Sequence, residues 1–162
     1  MDNYSEDLRA AQKAALARSA GVSGLASGTA VLTLDGEIPV EFLNEGDRVV
    51  TRSGLRTLRA VHVQILCNAQ VVRVSGSALG HGRPDRDAIL APGQSILLRD
   101  WRARALYGVE AALVPAARLV DGAYVSAEPV AAERIYLLEF DEAEVIYAGG
   151  LELGCAAVTV AA

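Results

Sequence analysis

Turn signals recur roughly every 8–12 residues beyond residue 22, and that spacing limits the chain to short β-strands. Asp35-Gly36 is a strong two-residue hairpin signal, because both residue types tolerate the positive φ that tight turns require. Asn44-Glu45-Gly46-Asp47, Ser53-Gly54, Ser75-Gly76 and Pro92-Gly93 punctuate the chain in the same way. Between them stand β-rich runs at Thr29 to Leu34, Ile38 to Leu43, Val49 to Thr51, Leu55 to Leu66, Val71 to Val74, Ala88 to Leu90 and Ser95 to Leu98. Ala111 to Pro115, Tyr124 to Ser126, Arg134 to Phe140 and Glu144 to Tyr147 complete the set. Residues 80–87, Gly-His-Gly-Arg-Pro-Asp-Arg-Asp, read as a loop, and Ala116 to Val120 as one helical turn. No long helical pattern interrupts the strands, so the predicted class is all-β.

The exception precedes residue 22. Residues 5–20 read as a helix rich in Ala, with Ser5 as its N-cap and Gly21 as its stop. Glu6 and Asp7 fall in the first turn and Lys13 and Arg18 later, which suits the helix dipole. Its apolar stripe of Leu8, Ala11 and Ala15 is thin, so the helix is expected on the domain surface or against a partner. The expected organisation is a helix over residues 1–21, a β domain over 22–157 and a tail over 158–162.

The chain has 162 residues, 52% of them hydrophobic and 22% charged, which suits one domain with a proper core. Aromatics are only 5%, so Val, Leu, Ile and Ala must build that core. A net charge of -5 disfavours a nucleic-acid partner, since phosphate binding needs clustered Lys and Arg. The one dense basic patch, Arg99, Arg102 and Arg104 around Trp101, reads as a solvated hairpin loop rather than a base-stacking tip. The acidic N-terminus lacks an apolar segment of the secretory kind, and no run of about 18 apolar residues could span a bilayer. The expected location is therefore cytoplasmic by default, with export that needs no N-terminal signal left open, and no membrane partner.

Cys67 and Cys155 lie far apart and read as two reduced, packed thiols, with a single bridge between them as the alternative. There is no CxxC, and His62 and His81 share no ligand spacing with the thiols, so neither a metal nor another cofactor is expected. His62 reads as a packed or edge histidine in an apolar strand and His81 as a solvated loop residue.

Five segments in order resemble the Hint (Hedgehog/intein) domain in the version common in bacterial proteins. They are Gly24 to Gly36, with its Gly28-Thr29, strand and Asp-Gly turn; Ile38 to Thr51, with Val40-Glu41 and Gly46-Asp47-Arg48-Val49; Val72 to Leu98; Val114 to Gly122; and Tyr136 to Gly150. The resemblance spans about residues 22–155. It implies a flattened β-horseshoe of short strands with pseudo-twofold symmetry, whose two ends meet at a self-cleavage centre.

The chemistry the resemblance implies needs a first Cys to attack the preceding carbonyl, and two His to move protons. Gly24 stands at the nucleophile position, Gln94 at the main His position, and Ala143 at the late His position. Glycine has no side chain, and Gln cannot shuttle a proton near pH 7. Ser23 beside the lost nucleophile and Cys155 near the closing end are the candidate substitutes, although a hydroxyl needs a base to activate it. Only 23 residues precede Gly24, so the helix would be the only upstream cargo, which weighs against processing. The expectation is a catalytically degenerate Hint-fold module that binds or scaffolds, with a peptide or protein held at the former cleft. Residual autoprocessing through Ser23 or Cys155 is the alternative.

Overall fold

The computed structural model describes residues 3–18, 21–80 and 83–159. Helix α1 (Asn3–Arg18) opens the chain. Ser5 therefore lies inside the first turn and does not cap it, because the helix starts two residues before the expected cap. Leu16 is the α1 side chain that packs on the main core, while Leu8 is exposed, in keeping with the thin apolar stripe.

Twelve strands follow: β1 (Leu25–Ala26), β2 (Ala30–Thr33), β3 (Gly36–Pro39), β4 (Arg48–Thr51), β5 (Gly54–Thr57), β6 (Ala60–Val74), β7 (Ala88–Leu90), β8 (Ser95–Leu98), β9 (Ala112–Pro115), β10 (Val125–Phe140), β11 (Glu144–Ala148) and β12 (Leu151–Ala157). The hairpin turns fall where the turn chemistry put them. Thr33 pairs with Gly36 across the Asp35 turn, and Thr51 pairs with Gly54 across Ser53. In both turns the threonine hydroxyl closes the hairpin, donating to the glycine carbonyl at 2.7 Å.

Two expectations need correction. Residues 55–74 and 124–140 are not four short strands flanking gaps. β6 and β10 run unbroken for 15 and 16 residues and pair antiparallel from Val74↔Val125 to Ala60↔Glu139. The basic segment at Trp101 is not a plain hairpin loop either. It forms helix α2 (Trp101–Tyr107), capped by the Asp100 carboxylate, which accepts from the Arg102 N–H at 2.9 Å. Gly108, with φ 68, ends it in the left-handed cap that glycine adopts without strain. β12 was not foreseen at all.

The sheet runs β1-β7-β6-β10-β12-β11-β2-β4-β5, with β1 also paired to β10. β3 pairs with β2, and β8 joins β12 to β9. Val31, Val49, Leu58, Val72, Leu90, Ile146 and Leu153 are fully buried in the main core; all but Leu58, which links β5 to β6, come from strands. A second, smaller core of Ala26, Leu66, Val71, Ala91 and Ile135 underlies the segment that carries Gly24. Two equivalent corners mark the halves. Pro39 leads into a 3-10 turn over Val40–Phe42, and Pro115 into one over Ala116–Leu119, both prolines with ψ near 137. Proline fixes φ for such a turn and donates no hydrogen bond.

Candidate functional site

The start of the domain, the turn that leads into β8 and the later part of β12 converge. Val22 accepts from Gly93 N–H at 2.7 Å, and Gly24 accepts from Ala91 N–H at 3.1 Å, so residues 22–24 are pinned against the Pro92-Gly93 turn. β1 then inserts between β7 and β10, with Leu25 opposite both Leu90 and Tyr136. These contacts fix Gly24 at φ 141. A Cβ there would lie 2.3 Å from the Ile135 Cγ2 and 2.8 Å from the Tyr136 carbonyl oxygen. Backbone cannot move aside as a flexible side chain can, so the position is closed to any side chain in this conformation.

Gln94 is buried. Its Nε2 donates to the Gly154 carbonyl at 2.7 Å and to the Ser95 carbonyl at 3.1 Å, so the amide acts as a bridge between β8 and β12. A buried amide left unbonded would cost about 1–3 kcal/mol, which explains why its donors are used.

Beside this frame lies a cleft of about 540 Å³. Ser23, Ala143 and Cys155 line it together, whereas Gly24 and Gln94 do not; they support its wall. The remaining wall is mostly apolar, with Val22, Leu113, Ile135 and Leu137, and its polar groups are few. Ser23 donates its hydroxyl to the Gly93 carbonyl at 3.2 Å. Both cysteines are free, but the expectation of two packed thiols fails for Cys67, which is exposed on β6 opposite Ala132 and does not line the cleft.

Two polar residues that sequence reasoning did not assign to the site belong here, His62 and Glu144. His62 lines the cleft and bonds the Glu139 carboxylate through Nε2, as an exposed imidazole held by a mostly buried acid. Glu144 also lines it, with a side chain only 4% exposed. Arg56 lies 3.3 Å from its Oε1, and the Thr51 hydroxyl, whose proton is directed to Gly54, lies 3.3 Å from its Oε2. The alternating Glu144-Val145-Ile146 run was the available signal, since it turns Glu144 and Ile146 to the buried side. His62 gave none, because its partner Glu139 lies 77 residues away.

Glu144 pairs with Cys155 across the β11–β12 hairpin. Burial and then the Glu144 charge push the Cys155 thiol up, from 9.0 to about 12. Both causes disfavour the thiolate, which is the nucleophilic form. No arrangement of three or more His, Cys, Asp or Glu for a metal ion occurs among the described residues, which exclude His81.

The Hint domain family model matches residues 23–156. The chain belongs to the Hint domain family. Solved structures agree on the Hint fold at low identity. The bacterial intein-like domain from Clostridium thermocellum is 13% identical, with a TM-score of 0.63 over 84% of this chain and 99% of its own. The TvoVMA intein is 13% identical, with a TM-score of 0.59 over 83% of this chain and 98% of its own. The gp41-1 intein is 11% identical, with a TM-score of 0.57 over 82% and 98%. Curated proteins give no match. Likeness at this identity fixes the Hint fold and leaves the chemistry to the cleft itself. Among the described residues no helix is long and apolar enough to cross a membrane.

Proposed function

We propose that this Hint domain, of the type found in bacterial proteins, no longer cuts itself and serves as a binding or scaffolding module. The observation that carries this is Gly24. At the position where the family's nucleophile would stand, the backbone leaves no room for a Cβ, let alone a thiol. Gln94 and Ala143, at the expected proton-transfer positions, have no group that titrates. The mainly apolar cleft with a few polar groups suits an extended peptide or the tail of a partner protein.

Intact mass tests the reading. Freshly purified chain held for days at neutral pH, with and without a thiol or hydroxylamine, is expected to keep its mass near 17.0 kDa. Release of a fragment ending near residue 22 overturns it.

One observation favours a second reading, residual autoprocessing at Ser23. The carbonyl that Ser23 would attack, that of Val22, already receives the Gly93 N–H at 2.7 Å, as a polarising donor would. Under this reading a mass change occurs and Ser23→Ala abolishes it. Cys155 is the weaker substitute, since a thiol held near 12 is almost wholly protonated at neutral pH; Cys155→Ala is the matching control.

A further inference from the structure

Nearer the start of β12 and outside the cleft lining, Glu152 is a carboxylate with a side chain only 5% exposed and three guanidinium partners. Arg99 grips it with two bonds of 2.7 Å, while Arg52 and Arg83 each reach it at 3.2 Å. Among the described residues none of the three arginines pairs with any other acid. One negative charge thus faces three positive ones, in a chain whose overall balance is -5.

The geometry separates these charges. A cavity of about 330 Å³ is lined by Arg83, Arg99, Tyr147 and Glu152, with the Gly149-Gly150 turn in its wall. Arg52 does not line it and meets Glu152 from outside. One acid cannot balance three guanidiniums, so a net positive charge remains in the cluster, and Arg83 and Arg99 are the two arginines that line the cavity. Each of these guanidiniums spends only part of its five donors on Glu152 and is about two-fifths exposed. Two planar forks with spare donors match an oxyanion bidentately, and a double charge is what would balance them. Two exposed acids oppose a bound anion here: Glu37 on the same cavity, and Asp85, whose carboxylate lies close to Gly150 in the wall.

We propose that this cavity is a binding site for a phosphate dianion, free or as the head of a small phosphomonoester. It is independent of the reading given to the cleft. Arg83 and Arg99 hold the oxygens, Glu152 orients both arginines, and the cavity beyond leaves room for an ester substituent.

The test is an amide and arginine-side-chain NMR titration of the full chain with inorganic phosphate near pH 7.5, at ionic strength held constant with sodium chloride. Saturable shifts are expected at Gly149, Gly150 and the Nε–H groups of Arg83 and Arg99. Arg83→Gln should weaken binding roughly tenfold, the loss of one charge-assisted contact. Glu37→Gln should tighten it, and because that change removes only an exposed rim charge it reads the site even if Arg83→Gln loosens the fold. Methyl phosphate binding as tightly as phosphate identifies the ester head as the ligand; much weaker binding identifies the free ion. Shifts that rise linearly without saturation, or that are unchanged in Glu37→Gln, overturn the proposal.

Discussion

Glu152 and Cys155 stand three residues apart on one strand, and the two sites they serve have gone opposite ways. At Glu152, four charged groups from separate segments are tied together: Arg52 from the β4–β5 turn, Arg83 from the loop before β7, Arg99 after β8, and the acid itself. At the cleft, Ser23, Ala143 and Cys155 line the wall with Gly24 and Gln94 behind it, and that frame is tied by backbone groups and one amide. Fold stability depends on satisfied polar groups and packing, and reactivity depends on groups that titrate near neutral pH. Gln94 meets the first need without the second. The comparison shows one part of the scaffold tied together by charge and the other by backbone groups and a neutral amide.

The largest expected effect separates the two sites by charge. Glu152→Ala leaves three guanidiniums with no acid, and should cost about 3 kcal/mol, the low end for a broken buried pair because the arginines are partly exposed. Denaturant unfolding measures it, and a loss no greater than that of an ordinary surface substitution would remove the hub from the account of stability.

Gly24→Ala comes next. The new methyl would overlap the Tyr136 carbonyl and the Ile135 side chain at a φ that disfavours any Cβ, so a destabilisation of about 2 kcal/mol is expected. Wild-type stability in this variant would mean that the site opens readily, and would reopen the question of a nucleophile there. Gln94→Ala removes the bridge to Gly154 and should cost about 1–2 kcal/mol with no change in intact mass over time.

The smallest effect is in pH dependence, and the two sites should fail at opposite ends of the scale. Burial raises the Glu152 carboxyl, but the Arg99 hydrogen bond and the charges of Arg99, Arg83 and Arg52 outweigh it and hold it below its ordinary 4.5. Its stabilisation is therefore intact above that pH and is lost as pH falls through the lowered value. The Cys155 thiol, raised from 9.0 to about 12, contributes stability that is intact below pH 9.0 and lost as pH climbs toward 12. Melting temperature against pH checks both limbs: Glu152→Gln should flatten the acid one and Cys155→Ala the alkaline one.

Much of the fold was legible because its turns are local. Asp35-Gly36 and Ser53-Gly54 each close a hairpin with chemistry contained in four residues. The long ribbon was not. Cys67, Asn68, Ala131 and Ala132 are exposed where β6 and β10 project, and Pro129 sits opposite Gln70, so the run shows neither clean alternation nor continuous hydrophobicity. β12 was missed because Gly154 and the following Ala residues carry little strand signal; three strands pair with it directly and hold it, β11, β8 and β10. Helix α2 was missed because seven residues fall below the length at which periodicity can be read.

The sequence by itself determined the all-β class, the N-terminal helix, the hairpin corners and the Hint resemblance, because each rests on residue identity or on contacts a few residues apart. Only the tertiary structure decided that Ser23, Ala143, Cys155 and His62 share one cleft while Gly24 and Gln94 stand behind its wall. It alone also gathered three arginines onto Glu152 from positions 53 to 100 residues away. The physical reason is the same in both places. Hydrogen bonds, charge pairs and steric room act over a few ångströms in space, and strand pairing between distant parts of the chain sets which residues come within that reach.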